Sequence, residues 1–487
     1  MKTIGAALAL LLLLSGCGPS VRISRTPSSS VVLASSSPYP TIRTGIDTLL
    51  ADSLFPPSML GIKVFSLNSN ETLYELNAHN LFTPASNEKL FTSAAALALL
   101  GGSFPLSTVV YADSLSSRIL IKGFGDPLLT RADFDSLARA AASRLPVRKR
   151  WTVGYDVSHF DGESWGAGWA WDDEPSAFQA NITPLVLDCN TVEVSVGPGT
   201  KPGDTLRVRV DETARVFGVE NTGETVTDSV TIPLEISRRW KERSNCVTIS
   251  GQMKATDTWA STRIGIREPE RYAATVFAAS LRSLGVPLDT VVQDTVRTGF
   301  AELARYCHSV DSAVVLLNKE SNNLIAEVLL KVLGAEKRGL PGSAPNGISV
   351  IREFLSARGI DTAKCVIADG SGISRYNLTS PSILVDLLTV MYRERNLFPS
   401  FVASLPRAGL DGTLANRMKG TAAEGNLSAK TGTETGVTTL SGYVRTADGE
   451  LLAFSIMMQN FPVTVGRYRA VQDGIGAFLA GLKRGSF

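Results

Sequence analysis

Two periods of apolar residues alternate along this chain, which indicates a protein that mixes β-strands with α-helices. Residues 61–82 carry apolar side chains at alternate positions on both sides of Asn68–Asn70, so they predict a β-hairpin. Residues 83–100 continue as an apolar run with polar residues at its beginning, which predicts a helix. The fold is therefore expected to start with a pair of strands followed by a helix.

Strand patterns dominate the middle of the chain, from about residue 109 to residue 305. Residues 118–129 and 150–160 predict strands on either side of a helical segment at 133–145. A strand-rich block follows with Pro-Gly and Gly-Asp turns, and residues 270–286 then predict an amphipathic helix. These segments together predict a large inserted region.

The last part of the chain returns to alternating helices and strands. Residues 312–334, 347–359 and 467–482 predict helices. Two alternating runs within residues 436–460 predict a hairpin that turns at Asp448-Gly449, a dipeptide typical of type I′ turns. We therefore predict an α/β (α+β) fold, with helices flanking an antiparallel sheet that is split between the two chain ends, and with the large strand-rich inserted region between them.

The N-terminus has the pattern of an export signal, since Lys2 precedes an apolar run at residues 4–14 and then small residues. The run is shorter than the about 20 apolar residues that span a bilayer. Its end, Leu14-Ser15-Gly16-Cys17, resembles the lipobox of bacterial lipoproteins, and the resemblance implies that Cys17 is acylated and becomes the first mature residue. Because several acyl chains anchor a protein stably, we expect a protein of the cell envelope or periplasm, lipid-anchored to a membrane. The alternative is a plain secretory signal that happens to end near a cysteine.

The length of the chain indicates how many domains it contains, and its charge indicates which kinds of partner are improbable. A chain of 487 residues exceeds the size of a single core, so two or more domains are expected. Its net charge of +2 gives no argument for a nucleic-acid partner or for a polybasic membrane surface. We predict a signal peptide and lipobox at 1–17, a Ser/Pro-rich flexible tether at 18–44, a main domain at 45–108 plus 306–487, an inserted domain at 109–187 plus 263–305, and a nested strand-rich domain at 188–262.

Four cysteines lie beyond the signal, and an exported protein permits disulfides among them. The sequence leaves three connectivities of Cys189, Cys246, Cys307 and Cys365 open. Cys189 with Cys246 is the preferred pair because both lie in the same strand-rich segment. Three histidines are spread along the chain without an HExxH motif or metal-ligand spacing, so we expect no metal and no organic cofactor.

Ser86 and Lys89 lie three residues apart in the predicted helix, where side chains share one face with Cβ atoms about 5–6 Å apart. Lys89 can therefore reach the Ser86 hydroxyl, and it can act as a base at neutral pH if burial or a second cation lowers its pKa. In the alternative interpretation, Ser86 or Thr83 caps the helix and Lys89 is solvated. The S-x-x-K motif is so short that, alone, it favours this alternative.

Two further motifs change that balance. Ser321-Asn322-Asn323 lies between two helical segments, and Lys430-Thr431-Gly432-Thr433 opens the C-terminal strands, where the glycine would let a ligand approach the backbone. Taken singly, they could be a helix cap and a strand edge with a protective lysine. The ordered set S-x-x-K, S-x-N and K-T-G is typical of penicillin-binding proteins and class A β-lactamases. No G-x-S-x-G motif occurs, which argues against an α/β-hydrolase.

Beyond these motifs, the chain resembles the low-molecular-mass penicillin-binding proteins of peptidase family S13, the D-alanyl-D-alanine carboxypeptidase/endopeptidases. The resemblance extends from about Ile46 to the C-terminus, and it implies the penicillin-binding/β-lactamase-like transpeptidase fold. The long interval between Lys89 and Ser321 leaves room for the family's inserted domains and exceeds that of class A β-lactamases. Seven stretches in family order carry the resemblance: PASNEKLFTSAAAL, IKGFGDPLL, GWAWDDEPSAF, KESNNLIAEVLL, ADGSGISRYNLTS, RAGLDGTLANRM and SAKTGTETGVTTLSGYV.

The motifs and the resemblance assign a role to each residue. Ser86 is expected to attack the carbonyl of an acyl-D-alanine bond, and Lys89 to accept its proton. Ser321 would relay a proton to the departing amine, with Lys430 keeping Lys89 neutral by like-charge repulsion. Asn323 is expected to bind the substrate amide, and Lys430, Thr431, Gly432 and Thr433 to bind the terminal carboxylate. The backbone N–H groups of Ser86 and Thr433 are expected to stabilise the oxyanion. By resemblance, the residues at the diamino-acid side chain are Asp173, Phe178 and Arg375.

Three functions remain in competition. The first is a lipid-anchored peptidoglycan hydrolase that removes terminal D-alanine, cuts D-alanyl cross-links and is inhibited by β-lactams. The second is a β-lactamase, for which no acidic residue that would activate the deacylating water can be placed. The third is a catalytically silent envelope-binding lipoprotein, against which the intact motif residues argue. The expected partners are peptidoglycan peptides, β-lactams and a membrane through the lipid anchor, with no nucleic acid. The sequence leaves open a homodimer, the diamino-acid preference next to Glu434-Thr435, and the balance of carboxypeptidase and endopeptidase activity.

Overall fold

The computed structural model describes residues 35–51, 55, 58–146, 149–211, 216–462 and 464–487. The predicted export signal, Cys17 and the first part of the predicted tether lie outside these residues. The tether ends earlier than residue 44, because Ser36 forms a β-bridge with Glu75 and the first helix begins at Pro40. That helix buries Ile42 and Ile46, an apolar pair that the Ser/Pro-rich composition of the segment conceals. In the part described, no helix is long and apolar enough to cross a membrane.

Helices and strands alternate along the described chain. The helices are α1 (Pro40–Leu49), α2 (Lys89–Leu99), α3 (Arg131–Ala142), α4 (Pro269–Ser283), α5 (Val310–Lys319), α6 (Asn323–Arg338), α7 (Ala344–Ser356), α8 (Pro381–Arg393), α9 (Phe398–Ser404) and α10 (Val465–Gly481). The strands are β1 (Met59–Ser66), β2 (Glu71–Leu76), β3 (Pro105–Asp113), β4 (Arg118–Gly123), β5 (Trp151–Asp156), β6 (Thr191–Gly197), β7 (Arg207–Arg209), β8 (Val219–Asn221), β9 (Glu224–Val226), β10 (Glu235–Arg238), β11 (Val247–Ser250), β12 (Gln252–Lys254), β13 (Ala260–Gly265), β14 (Leu288–Gln293), β15 (Ala301–Ser309), β16 (Ser428–Glu434), β17 (Val437–Arg445) and β18 (Leu451–Gln459).

The main sheet joins the two ends of the chain in the order β16-β17-β18-β1-β2, and all of its neighbours are antiparallel. This confirms the predicted split sheet and its fold class. Strands β17 and β18 are buried on both faces because helices cover both sides. Ala453 and Met457 face the core shared with α2, α6 and α8, whereas Phe454 and Ile456 face the core shared with α1 and α10. This alternation follows from the two-residue period of a strand.

The inserted region is built on a mixed sheet with the order β14-β5-β4-β3-β15, which α3 and α4 cover. Phe134 of α3 and Phe277 of α4 meet edge to face in its core, with ring centroids 6.3 Å apart. Smaller sheets, β13-β6-β7, β10-β11-β8 and β12-β9, form the strand-rich part. The boundaries predicted at residues 108 and 305 fall inside β3 and β15, which pair with each other. The division into five segments otherwise stays a prediction.

The turn between β17 and β18 differs from the predicted type I′ turn. A type I′ turn needs positive φ at both central residues, and of the Asp448-Gly449 pair only Gly449 has it, at +92°. The connection instead spans residues 446–450, where the Thr446 N–H donates to the Glu450 carbonyl at 2.9 Å. The hairpin prediction is confirmed, and its turn type is wrong.

The preferred disulfide is also wrong. All four cysteines of the described chain are free thiols. Cys189 lies in a short helix at the start of β6, and its sulfur faces the Asn322 side-chain amide at 3.4 Å. Cys246 precedes β11 and lies beside Gly218. Cys189 and Cys246 therefore have different neighbours, although both belong to the same strand-rich segment.

Candidate active site

The candidate nucleophile, Ser86, lies in a single 3₁₀ turn, Ala85–Glu88, which leads directly into α2. Ala85 has a positive φ of +46°. The residue at the cap of α2 is Glu88, and its side chain makes no capping hydrogen bond. Neither Ser86 nor Thr83 caps this helix, so the structure gives no support to the capping interpretation.

The main sheet holds this nucleophile turn in place. Asn87 Nδ2 donates to the Lys430 carbonyl of β16 at 3.1 Å, and Thr439 Oγ1 of β17 donates to the Pro84 carbonyl at 2.9 Å. A Cβ on Gly432 would lie 2.2 Å from Thr439 Oγ1 and 2.9 Å from the Pro84 carbonyl. The space that glycine leaves in the K-T-G motif is therefore filled by Thr439 of β17 and by the start of the nucleophile turn, Pro84 and Ala85.

Lys89 is fully buried at the start of α2, and its ammonium nitrogen contacts three oxygen atoms. Nζ lies 2.9 Å from Ser86 Oγ, and it donates to Asn323 Oδ1 and to the Ser371 carbonyl at 2.5 Å each. Burial lowers the pKa of Lys89 to about 8, against the opposing charges of Asp369 and other nearby carboxylates. Burial is the physical cause that the sequence-based proposal required.

The three contacts of Lys89 accommodate both protonation states, since an ammonium can donate to all three oxygens and a neutral amine can keep its lone pair for one of them. A neutral amine has two N–H groups and one lone pair, and the oxygens of Asn323 and Ser371 can only accept hydrogen bonds. With its two N–H groups directed at those oxygens, its lone pair is left for the Ser86 hydroxyl. The arrangement can therefore draw the proton from Ser86 Oγ.

The S-x-N motif occupies the break between α5 and α6, between two helical segments as the sequence predicted. Asn322 caps α6 by accepting a hydrogen bond from the Ile325 N–H at 3.0 Å. Ser321 has a positive φ of +57°, and its Oγ accepts a hydrogen bond from Lys430 Nζ at 2.8 Å. Asn323 Nδ2 donates to the Phe178 carbonyl of the inserted region at 2.8 Å. The capping role thus belongs to the middle residue, which frees the two outer side chains for the site.

The K-T-G motif lies on β16, the edge strand of the main sheet. Lys430 is fully buried, and its Nζ donates to Ser321 and to the Thr431 carbonyl. Burial and, second, the charge of Lys89 lower the pKa of Lys430 well below its ordinary value. Thr431 Oγ1 donates to Thr413 Oγ1 at 2.7 Å. The site therefore contains two lysine–serine contacts: Lys430 with Ser321, and Lys89 with Ser86.

These residues border a cavity of about 610 Å³. Its walls include Ser86 and Asn323 from the main domain and the edge-strand residue Thr433. The residues assigned by resemblance also line it: Asp173 and Phe178 from the inserted region, and Arg375 from the loop after Asp369. The structure thus brings every predicted site residue within its described range to this cavity or to the hydrogen-bonded wall behind it, and Cys17 lies outside that range.

The sequence analysis placed the 369–372 loop within a stretch of the family resemblance and gave the loop itself no role. Gly372 has a φ of +86°, and a Cβ there would lie 1.9 Å from the Ala85 carbonyl, so only glycine lets this loop close on the nucleophile turn. Asp369 fixes the loop by accepting hydrogen bonds from the Gly372 N–H at 2.7 Å and from Trp169 Nε1 at 2.9 Å. The loop delivers the Ser371 carbonyl to Lys89, a role for which the sequence offers no signal.

Two further side chains of the site were not predicted. Glu434 lines the cavity, and burial raises its pKa to about 7, although the charge of Arg375 opposes the rise. Its Oε1 is buried without a hydrogen-bond partner in the described structure, and its Oε2 lies 3.6 Å from Arg375 Nε. Arg469 of α10 donates to Thr433 Oγ1 at 2.8 Å. Arg469 comes from α10, which packs on β17 and follows the K-T-G motif by more than 30 residues, so no local pattern indicates it.

Comparisons with known proteins agree with one another. The sequence profile of the D-Ala-D-Ala carboxypeptidase 3 (S13) family matches residues 42–482. The chain is 35% identical over 466 residues to the D-alanyl-D-alanine carboxypeptidase of Actinomadura sp. (strain R39), covering 90% of this chain and 84% of that protein. It is 24% identical over 444 residues to the D-alanyl-D-alanine carboxypeptidase DacB of Haemophilus influenzae, covering 88% and 91%. The crystal structure of penicillin binding protein 4 from Haemophilus influenzae shares the fold, with a TM-score of 0.79 at 23% identity, covering 90% of this chain and 99% of that chain.

Proposed function

Because the chain belongs to the D-Ala-D-Ala carboxypeptidase 3 (S13) family and is thereby a serine-type D-Ala-D-Ala carboxypeptidase, we propose that it cleaves peptidoglycan stem peptides through an ester on Ser86. The observation that supports this proposal is the position of Lys89, whose Nζ lies 2.9 Å from Ser86 Oγ; in the neutral amine, its two fixed acceptors would leave the lone pair for that hydroxyl. No other group of the cavity is needed to activate the hydroxyl.

In the proposed acylation, Ser86 Oγ forms a bond to the carbonyl carbon of the penultimate D-alanine, and its proton passes to Lys89 Nζ. The C–N bond to the terminal D-alanine then breaks, and Ser321, held by its hydrogen bond to Lys430, would relay a proton to the departing nitrogen. The proton that Lys89 took from Ser86 makes up for it, so Lys89 is neutral again before the ester is hydrolysed. Water afterwards hydrolyses the ester, which releases the shortened peptide and restores the Ser86 hydroxyl. The N–H groups of Ser86 and Thr433 would stabilise the oxyanion, and losing one such donor typically costs about 10²–10³ in rate.

The edge strand β16 is proposed to receive the terminal carboxylate. Lys430, Thr431 and Thr433 lie on it, and Arg469 adds a cation that already donates to Thr433 Oγ1. Asn323 would turn its amide from the Phe178 carbonyl to the substrate amide. Asp173, Phe178 and Arg375 would meet the side chain of the diamino acid.

We extend the proposal to cross-links, to inhibition by β-lactams and to location. A D-alanyl cross-link presents the same carbonyl with a different amine as leaving group, so the same steps would cut it. A crystal structure of penicillin binding protein 4 from Haemophilus influenzae contains a bound β-lactam, and we propose that a β-lactam would acylate Ser86 of this chain. The protein would act in the cell envelope, held to a membrane by acyl chains on Cys17.

The proposal is tested by incubating the protein without its signal with a fluorescent penicillin and mapping the adduct by peptide mass. A slowly lost adduct on Ser86 is expected, and Ser86→Ala should abolish it. Ser93→Ala, the same change further along α2 at a serine that donates to the Leu90 carbonyl, is the matched control and should keep the adduct. No adduct in a folded protein would overturn the serine–lysine mechanism. Rapid turnover of the drug would instead support a β-lactamase.

A further inference from the structure

A second groove of about 630 Å³ lies beside the catalytic cavity. Three tryptophans line it, and two of them form a tilted pair, with the rings of Trp171 and Trp240 5.2 Å apart. Trp171 is 62% exposed. A large aromatic surface that is exposed to solvent often marks an interaction site. The third, Trp165, is oriented by donating from Nε1 to Asn181 Oδ1 at 2.8 Å. The groove therefore has a fixed aromatic surface that no other part of the described chain covers.

One short helix separates this groove from the catalytic cavity. Within Trp171–Asp173, Trp171 faces the groove, while Asp172 and Asp173 face the cavity. The helix is anchored directly after it, because Glu174 pairs with the almost fully buried Arg238. A ligand that leaves the cavity past Asp173 would therefore meet the tryptophan pair next.

The polar lining of the groove contains both charges. Lys241, Arg243 and Arg267 supply cations, and Glu163, Glu268 and Glu270 supply carboxylates. Lys241 Nζ also lies 5.3 Å from the centre of the Trp240 ring. A lining with both signs does not favour a partner of one strong charge, but it does provide donors and acceptors around flat aromatic faces.

Flat aromatic faces edged by donors and acceptors suit sugar rings, which present C–H faces and hydroxyl or acetamido edges. The stem peptide of peptidoglycan is attached to such a chain of N-acetylated amino sugars through a lactyl carboxyl group. Its size also fits, since ligand sites usually occupy about 300–1,000 Å³. We propose that the groove of Trp165, Trp171 and Trp240 binds the amino-sugar chain that carries the stem peptide. This inference rests on the proposed function, because it places the glycan beyond the peptide at Ser86.

The proposal predicts a difference between polymeric and small substrates. Release of D-alanine is measured from isolated peptidoglycan and from a short acyl-D-Ala-D-Ala peptide without sugar. Trp240→Ala should raise the KM for the polymer about tenfold, because truncating an aromatic anchor commonly costs that much binding, and it should leave the peptide reaction unchanged. Trp171→Ala should behave in the same way. Trp259→Ala is the matched control, since Trp259 lies under Arg209 away from the groove, and it should change neither reaction.

Direct binding separates the glycan from other occupants. Peptidoglycan chains stripped of their stem peptides are titrated into the protein while tryptophan fluorescence is recorded. Saturable quenching is the expected result, with a Kd that Trp240→Ala raises about tenfold as judged from the remaining tryptophans. No binding of stripped chains, or equal use of the polymer by Trp240→Ala and the unaltered protein, would overturn the proposal. If the unaltered protein fails on the short peptide and on penicillin, the proposed function falls, whereas a failure confined to the stripped chains refutes the groove alone.

Discussion

At the scale of single residues, we predict that the protonation of Lys89, the proposed base, controls the pH dependence of the reaction. The base must be neutral to accept the Ser86 proton, and burial lowers the pKa of Lys89 to about 8. The rate constant for acylation by penicillin should therefore rise about tenfold per pH unit below pH 8 and level off above it. Stopped-flow measurement of acylation between pH 6 and pH 9.5 gives this profile. A rate constant that stays flat across that range would contradict Lys89 as the base.

Glu434 should make substrate binding depend on pH in a second way. Burial raises the pKa of this carboxyl to about 7, so it gains its negative charge as the pH rises through neutrality. A peptide whose side chain ends in an ammonium group should then bind more tightly, because the carboxylate attracts it. The KM for such a peptide should fall severalfold from pH 6 to pH 8.

Glu434→Gln keeps the size of the side chain and removes its titration, so the KM of this variant should lose that pH dependence. A peptide with an uncharged side chain of equal length is the control, and its KM should stay level with pH in both proteins. A KM that changes equally for both peptides would assign the effect to another group.

The motif residues could be predicted because their spacing is local. Ser86 and Lys89 share one turn, and Ser321 and Asn323 share one loop. Arg469 and the Ser371 carbonyl could not be predicted, because each reaches the site only through tertiary packing. The chain neighbours of these groups carry no pattern that distinguishes them from an ordinary helix and an ordinary turn.

At the scale of elements, α6 supports the loop that orients Lys89. Glu327 of α6 is fully buried, and its Oε1 accepts a hydrogen bond from the Gly370 N–H at 3.0 Å. Burial, with the charge of Asp369, raises the pKa of Glu327 from 4.5 to about 8. The folded protein therefore keeps a proton that the unfolded chain loses near pH 4.5. The protonated Glu327 therefore contributes its full stabilisation below about pH 4.5, and this contribution is lost as the pH rises through about 8.

Glu327→Gln should remove this pH dependence while keeping the acceptor for Gly370. From pH 5 to pH 7 the free energy of unfolding should fall by about 2–3 kcal/mol less in the variant than in the unaltered protein. Urea unfolding at several pH values measures the difference. Parallel curves for the two proteins would show that Glu327 is ionised in the folded state.

Elements with a clear apolar period could be predicted, whereas those defined by distant pairing could not. The alternating residues of β1, β2, β17 and β18 indicated their strands and the sheet that joins them. The predicted boundaries instead cut through β3 and β15, because a strand pair of such sequence separation leaves no local mark. Within residues 312–334 the Ser-Asn-Asn motif indicated the break between two helices, which lies between Lys319 and Asn323.

At the scale of the whole molecule, the inserted region completes the active site. Phe178 contributes its carbonyl to Asn323, and Asp173 faces Arg375 and Glu434 across the same cavity. The turn before α2 carries the proposed nucleophile, β16 of the main sheet carries the proposed carboxylate subsite, and the insertion supplies the opposite wall. We therefore propose that the predicted inserted and nested domains adapt a shared peptidase core to a branched, polymeric substrate.

The last prediction concerns the anchor of the whole molecule, Cys17, which precedes the described residues. If the lipobox is used, cells fed an alkyne-tagged fatty acid should label the protein, and it should fractionate with membranes. Cys17→Ala should abolish the label. Cys307→Ala, at an exposed free thiol of the folded body, is the matched control and should keep the label. An unlabelled, soluble protein in both cases would instead establish a plain secretory signal, and the peptidase would then act without a tether at the membrane.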